Sequence, residues 1–289
     1  MGASSSTSPQ TREPDTDVSG YTTPEDDMGL LTGKIGLIYG VRNERSMAWG
    51  CAKSAVREGA SLILTYLGDR EEKDVRSLAE SLGDAVKLVA PCDLTDAAQV
   101  EALHTQIASL TDNLDFMIHA VAFAKRDELS GRFSDTSQDG FALAMDVSAY
   151  TLVAASRAAA PLMPSGGSII TMTYLGSERV VPNYNVMGVA KAALEATVRY
   201  LADDLGPQKI RVNAVSPGMT LTASAVGIAG FRNMYKRIPE VAPLRKATDP
   251  DEVGDTCAFF ASDLSRAITG EVIHIDSGCH LLGPELGGN

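Results

Sequence analysis

The chain has 289 residues, 44% of them hydrophobic, and a formal net charge of −12. That hydrophobic share can fill one large core, while the acidic balance argues against nucleic acid, whose phosphates need a basic footprint. No apolar run approaches the ~18 residues of a membrane span.

Residues 1–28 stand apart. Ser, Thr, Pro, Asp and Glu dominate there and aliphatic residues are almost absent. Such a stretch cannot offset its ordering entropy by burial, so a disordered acidic tail is expected. It has neither the apolar centre of a signal peptide nor the Arg-rich, acid-poor character of a transit peptide. Residues 29–289 are read as one domain. Four cysteines, Cys51, Cys92, Cys257 and Cys279, are far apart and form no CxxC pair. They predict buried thiols in a reducing cytoplasm rather than a zinc site or a disulfide framework, and no metal is expected.

Beyond Leu30, short apolar runs alternate with helix-like stretches. The runs are Ile35–Tyr39, Ser61–Tyr66, Val86–Ala90, Leu114–Ile118, Ser168–Met172, Arg211–Val215 and Glu271–Ile275. They are mostly non-alternating, as strands buried on both faces of a parallel sheet are. Helical periodicity marks Ser46–Glu58, Arg70–Leu82 and Ala97–Leu110. The expected fold is α/β, a single-domain Rossmann-like doubly wound parallel sheet of about seven strands. Ligands of such sheets sit beyond the carboxyl ends of the strands, so the strand ends are where chemistry is sought.

The first strand ends in Tyr39-Gly40-Val41-Arg42-Asn43-Glu44-Arg45-Ser46-Met47, with Gly50 further on. This is not G-x-G-x-x-G. Gly40 permits a tight turn, Ser46 can cap the helix and aim its first N–H groups at a pyrophosphate, and Gly50 lets the helix approach the sheet. An ordinary βα loop with a Ser cap is the alternative. The second strand ends in Leu67-Gly68-Asp69-Arg70, with neither an acidic residue for a free 2′-hydroxyl nor a tight basic pair for a 2′-phosphate. Arg42, Arg45 and Arg70 lie within reach of one, and the balance favours NADH, with NADPH as the alternative. After the third strand, Asp93 either accepts from the adenine amino group or, with Thr95, starts the next helix. After the fourth, His119-Ala120-Val121-Ala122 leaves room for a ribose, and His119 reads as a core histidine.

The fifth strand leads to Thr173-Tyr174-Leu175-Gly176 and then Pro182-Asn183-Tyr184-Asn185-Val186-Met187-Gly188-Val189-Ala190-Lys191. From Tyr184 to Leu205 the pattern is helical, which would set Tyr184 and Lys191 on one face, about two turns apart. Lys191 would hydrogen-bond the nicotinamide ribose, and its charge would help the Tyr184 phenol donate. No Tyr in the chain has a Lys four residues later, the usual carbonyl-reductase spacing. The extra turn suits an enoyl thioester, in which hydride goes to C3 and the carbonyl oxygen becomes an enolate that a donor must meet. A merely exposed helix face is the alternative. After the sixth strand, Pro217 and Gly218 break the chain, Thr222 is a candidate for the carboxamide or pyrophosphate, and the small-residue-rich stretch near 219–236 reads as a lid.

The segment from Tyr174 to Lys191 resembles the active-site segment of the FabI-type enoyl-acyl-carrier-protein (enoyl-ACP) reductases of the short-chain dehydrogenase/reductase superfamily, in motif and in its Tyr-x9-Tyr-x6-Lys spacing. The similarity runs from about Leu31 to Leu286. The resemblance implies a cytoplasmic homotetramer that reduces trans-2-enoyl thioesters on acyl carrier protein with NADH in fatty-acid elongation. It implies Tyr184 and Lys191 as the central pair, Tyr174 as a second active-site tyrosine and Ala124 beside the substrate. Cofactor contacts are implied at Gly40, Ser46, Met47, Leu67, Asp93, Leu94, Val121, Lys191, Thr220, Leu221, Thr222, Ala223 and Ser224. The chain departs from the family at the lid, where Gly218-Met219-Thr220-Leu221-Thr222 lacks the usual Pro and Arg. It departs again at Tyr39, where a small residue is common, and at Ala229 and Asn233, where basic residues are expected. Arg232, Lys236, Arg237, Arg245 and Lys246 remain to meet an acidic carrier. Two other readings stand beside this one: a same-fold reductase of another enoyl-CoA, activated alkene or carbonyl, and a non-catalytic nucleotide-sensing paralogue, against which the Tyr–Lys pair speaks.

Overall fold

The computed structural model describes residue 1, residues 29–222 and residues 230–283. The tail expected to be disordered therefore lies, from residue 2 on, outside the described residues. Seven strands form one sheet: β1 Ile35–Tyr39, β2 Ser61–Tyr66, β3 Val86–Pro91, β4 Phe116–His119, β5 Gly167–Met172, β6 Ile210–Pro217 and β7 Val272–Ile275. Their order is β3-β2-β1-β4-β5-β6-β7, and every neighbouring pair is parallel. The strands match the apolar runs to within a few residues. β4 begins two residues later than expected, at Phe116, and Leu114 bonds off the sheet, to the Leu162 carbonyl oxygen at 2.7 Å.

The connecting helices are α1 Met47–Arg57, α2 Asp69–Ser81, α3 Ala97–Leu110, α4 Gln138–Met145, α5 Thr151–Ala159, α6 Val186–Leu205, α7 Phe231–Val241 and α8 Pro250–Ala261. A π-helical turn, Asp146–Tyr150, joins α4 to α5. Successive strand residues point to opposite faces, and each face has its own core. Leu37, Tyr39 and Met117 pack with α3, α5 and α6 through Leu103, Ile107, Leu152 and Val198. Ile38, Leu64 and Ile118 pack with α1, α2 and α8 through Ala52, Val75, Cys257 and Phe260. Burial on both faces is why the strands read as continuous apolar runs. Tyr39, the unusual residue at the end of β1, is one of these core side chains. Its hydroxyl lies 3.3 Å from His104 Nε2 under α3, away from the turn that follows.

Gly50 does a different job from the one its position suggested. A Cβ there would lie 2.3 Å from the Pro250 carbonyl oxygen, and one at Gly254 would lie 2.4 Å from the Gly50 carbonyl oxygen. The two glycines bring α1 against α8, not against the sheet. Gly50→Val therefore has to part the two helices, and a loss of about 1–3 kcal/mol in urea unfolding is expected. Stability equal to the parent would refute this close approach.

Cys51, Cys92 and Cys257 are buried, Cys279 is half-buried, and all four are free thiols. Among the described residues, no helix is long and apolar enough to cross a membrane, and no cluster of His, Cys, Asp or Glu could hold a metal ion.

Candidate active site

β1 lies between β2 and β4, so the chain departs in opposite directions on its two sides, and the crevice at that switch point is where such sheets take a ligand. Gly40 closes the turn after β1 with φ +88°. A Cβ there would sit 2.4 Å from the Ala120 carbonyl oxygen, so only glycine lets this turn pass the end of β4. Ser46 caps α1: its hydroxyl donates to Asn43 O at 2.7 Å and accepts from Trp49 N at 3.3 Å. The Met47 and Ala48 N–H groups precede the first backbone bonds of α1, and the helix dipole is positive there. Glycine, cap and helix start form a cradle that fits a dinucleotide pyrophosphate.

A cavity of about 660 Å³ opens beside this turn, beyond the ends of β4, β5 and β6. Met47, Ala124, Tyr174, Tyr184, Lys191, Thr220 and Thr222 all line it. Seven expected site residues, spread over more than half the chain, thus meet at one place.

Tyr184 and Lys191 meet there for a reason other than helical phase. α6 begins only at Val186. Tyr184 sits in the preceding turn, flanked by Asn183 at φ 62° and Asn185 at φ 40°, so the expected helix from Tyr184 and its shared face are wrong. The Tyr184 ring folds over Gly176 instead, where a Cβ would come within 2.4 Å of its Cδ1. Tyr174 meets it edge-on, with ring centroids 4.9 Å apart at 65°, a favourable aromatic geometry.

Electrostatics make both phenols donors. Burial raises the Tyr184 pKa well above that of a free phenol, and the neighbouring Tyr174 raises it further. Burial raises Tyr174 too, with Cys279 and Asp276 adding to the effect. Lys191 is 5% exposed and donates to Met172 O at 2.7 Å. Desolvation lowers its pKa to about 8, against the opposing pull of Glu195. At neutral pH the cavity therefore holds an ammonium and two neutral phenols.

Glu195 went unnoticed in the sequence. It lies one turn beyond Lys191, and its Oε1 accepts from the Thr173 and Ser177 hydroxyls at 2.5 Å each. The segment carrying Tyr174 is thus tied to α6 on both sides of the tyrosine. A carboxylate four residues after a candidate lysine was the available signal. His119 is a core residue, as expected. Its ring nitrogens lie 3.0 and 2.9 Å from the Thr171 and Thr151 hydroxyls, and burial, with the Lys191 charge adding, pulls its pKa down to about 3.

Other expected cofactor residues lie at strand tips outside the cavity lining. Leu67 is exposed after β2, and the Leu94 side chain is packed into the core, which leaves its backbone for contact. Val121 follows β4, half-buried. Asp93 Oδ1 accepts from Thr95 N and Oγ1 at 2.9 and 2.7 Å, so it does organise the turn before α3. Leu221 is exposed and does not line the cavity. Ala223 and Ser224, with much of the lid near 219–236, lie outside the described residues. Beyond them, Phe231 and Met234 of α7 line the cavity. Of the nearby basic residues, Lys246 pairs with Glu252 and Arg245 donates to the Glu240 carbonyl oxygen.

A sequence profile described as "Enoyl-(Acyl carrier protein) reductase" matches residues 40–280. The chain is 52% identical over 256 residues to "Enoyl-[acyl-carrier-protein] reductase [NADH] FabI" of Bacillus cereus, covering 89% of this chain and 100% of that one. It is 47% identical over 252 residues to "Enoyl-[acyl-carrier-protein] reductase [NADPH] FabI" of Staphylococcus aureus, covering 87% and 98%. A solved Bacillus cereus enoyl-ACP reductase, bound to NADP+ and an indole naphthyridinone, superposes with a TM-score of 0.87 at 52% identity, covering 89% of this chain and 100% of that one.

Proposed function

The chain belongs to the enoyl-acyl-carrier-protein reductase family, and from that membership we infer that it reduces trans-2-enoyl thioesters on acyl carrier protein in fatty-acid synthesis, with NADH as its cofactor and NADPH as the alternative. The observation that carries this reading is the meeting of two neutral phenols and a buried ammonium in one cavity at the switch point.

The reduced nicotinamide, when bound, supplies a hydride to C3 of the enoyl chain. Negative charge would then grow on the thioester carbonyl oxygen, to which the Tyr184 hydroxyl would donate a hydrogen bond, and a proton from solvent at C2 would complete the saturated thioester. Tyr174, edge-on to Tyr184, restricts the ring to one orientation. Lys191 has three N–H groups, of which Met172 O takes one. Another would hold the nicotinamide ribose. Gly40, Ser46 and Met47 would receive the pyrophosphate, with Thr220 and Thr222 on its lid side. Leu67, Asp93, Leu94 and Val121, at the strand tips, would hold the adenosine, and Ala124 would border the acyl chain.

Phe231 and Met234 of α7 line the cavity and would help to keep water from it, and Arg232 and Lys236 of α7 would meet the acidic carrier. The resemblance supports a homotetramer, which sedimentation would test, and the buried thiols support a cytoplasmic location.

Purified protein is given NADH or NADPH with crotonyl-ACP, crotonyl-CoA or a ketone, and loss of the reduced-nicotinamide absorbance is followed. The fastest turnover is expected with NADH and crotonyl-ACP. Turnover of the ketone alone, or cofactor binding with no turnover of any substrate, would contradict the assignment.

A further inference from the structure

The relatives divide between NADH and NADPH, which differ by one phosphate on the adenosine 2′-oxygen. In a doubly wound sheet that oxygen comes to the tip of the second strand. Here the tip carries no charge. Leu67 turns an apolar side chain outward. Gly68 opens α2 without a side-chain cap, and nothing lies within 4 Å of where its Cβ would be.

The neighbouring charges come from the first turn of α2, where Asp69, Glu71 and Glu72 stand together. They are not equivalent. Glu72 is taken by Arg76, whose Nε donates to it at 2.8 Å, and Asp69 is exposed to water. The Glu71 side chain is only 13% exposed and lies 3.7 Å from Arg42 Nε. Arg42 belongs to the turn between β1 and α1, and it also lines the reaction cavity. The Arg42–Glu71 pair thus joins the phosphate-binding turn to the start of α2, beside the place the adenosine ribose must occupy.

We propose that Glu71 and Arg42 set the choice of NADH over NADPH. The Glu71 carboxylate repels a 2′-phosphate directly. By holding Arg42, it also withholds a guanidinium that such a phosphate would pair with. The inference rests on the dinucleotide site assigned above. Half-burial keeps the repulsion from being fully screened, so it is worth roughly tenfold or more in affinity. The competing view is that Glu71 only complements the dipole at the start of α2. That view predicts a small change in stability and no change in the choice of dinucleotide.

Binding is read by titrating NADH and NADPH into the full chain and following reduced-nicotinamide fluorescence. The parent is expected to prefer NADH, and the preference should shrink as salt rises. Glu71→Gln should lower the ratio of the NADPH Kd to the NADH Kd by roughly tenfold or more. Adding Arg42→Gln should remove most of that gain, and Glu72→Gln, which leaves the Arg42–Glu71 pair intact, should move the ratio by less than about twofold. An unchanged ratio in Glu71→Gln, an equal shift in Glu72→Gln, or a parent preference insensitive to salt would overturn the proposal. If the parent binds neither dinucleotide, the proposed function falls with it.

Discussion

Tyr184→Phe lowers kcat by about 10²–10³-fold, with kcat/KM falling in proportion and NADH affinity close to that of the parent. The substitution keeps the ring, so the packing over Gly176 and the edge-on contact with Tyr174 survive. Only the hydroxyl is lost. Burial holds that hydroxyl protonated across the working pH range, so it acts as a donor and not as a base. A donor to the enolate oxygen is used more strongly in the transition state than in the bound substrate, and its removal therefore appears in kcat as well as in kcat/KM. A rate equal to the parent would remove Tyr184 from the mechanism. A rise in KM alone would make it a substrate-binding residue.

Lys191→Met separates from this as a defect in holding the cofactor. The side-chain length is kept, while the ammonium that would hold the ribose is lost. A hydrogen bond to a charged group contributes about 1.5–3 kcal/mol, so the NADH Kd rises by roughly ten- to a hundredfold. The same residue sets a pH limit. Desolvation brings the folded-state pKa of Lys191 to about 8, from an ordinary 10.5. The ammonium is lost as pH rises through about 8, and the kcat/KM of the parent falls there. Stability moves the other way. Between about 8 and 10.5 the unfolded chain binds a proton that the folded chain does not, so stability rises with pH across that window. The contribution is complete above 10.5 and is lost as pH falls through about 8. It amounts to about 3 kcal/mol. Urea unfolding of parent and Lys191→Met at a series of pH values isolates it. The parent should gain on the variant across the window, and a constant difference would contradict the burial of this amine.

Much of this arrangement is legible in the sequence because it depends on local rules. The inner strands are covered on both faces and mostly apolar, so they read as continuous runs, and the half-buried edge strands β3 and β7 still carry enough apolar residues to be read. Gly40 and Ser46 are legible because a tight turn and a helix cap each require their own residue type. What cannot be read is decided by contacts between distant segments. Gly50 looks like a residue of the α1–sheet contact, but its neighbour is Pro250, 200 positions away in the numbering. The helical pattern begins at about Tyr184, yet Asn183 and Asn185 on either side of it adopt positive φ and postpone α6 to Val186. Tyr184 and Lys191 thus line one cavity through a turn before α6, not through a shared helix face. Two glycines, Gly176 and Gly188, make room for that turn. A Cβ on Gly188 would lie 2.7 Å from the Gly176 carbonyl oxygen, and no motif of polar residues records such a requirement. The link from Glu195 to Thr173 and Ser177 is hidden in the same way, since it joins a helix to a loop about twenty residues earlier.

A crystal structure with bound dinucleotide and an unreactive enoyl thioester reads the geometry directly. The thioester carbonyl oxygen should lie about 2.6–3.2 Å from Tyr184 Oη, with Lys191 Nζ on the nicotinamide ribose. A carbonyl oxygen bound by Tyr174 or by water, with the Tyr184 hydroxyl turned elsewhere, would contradict the role given to Tyr184.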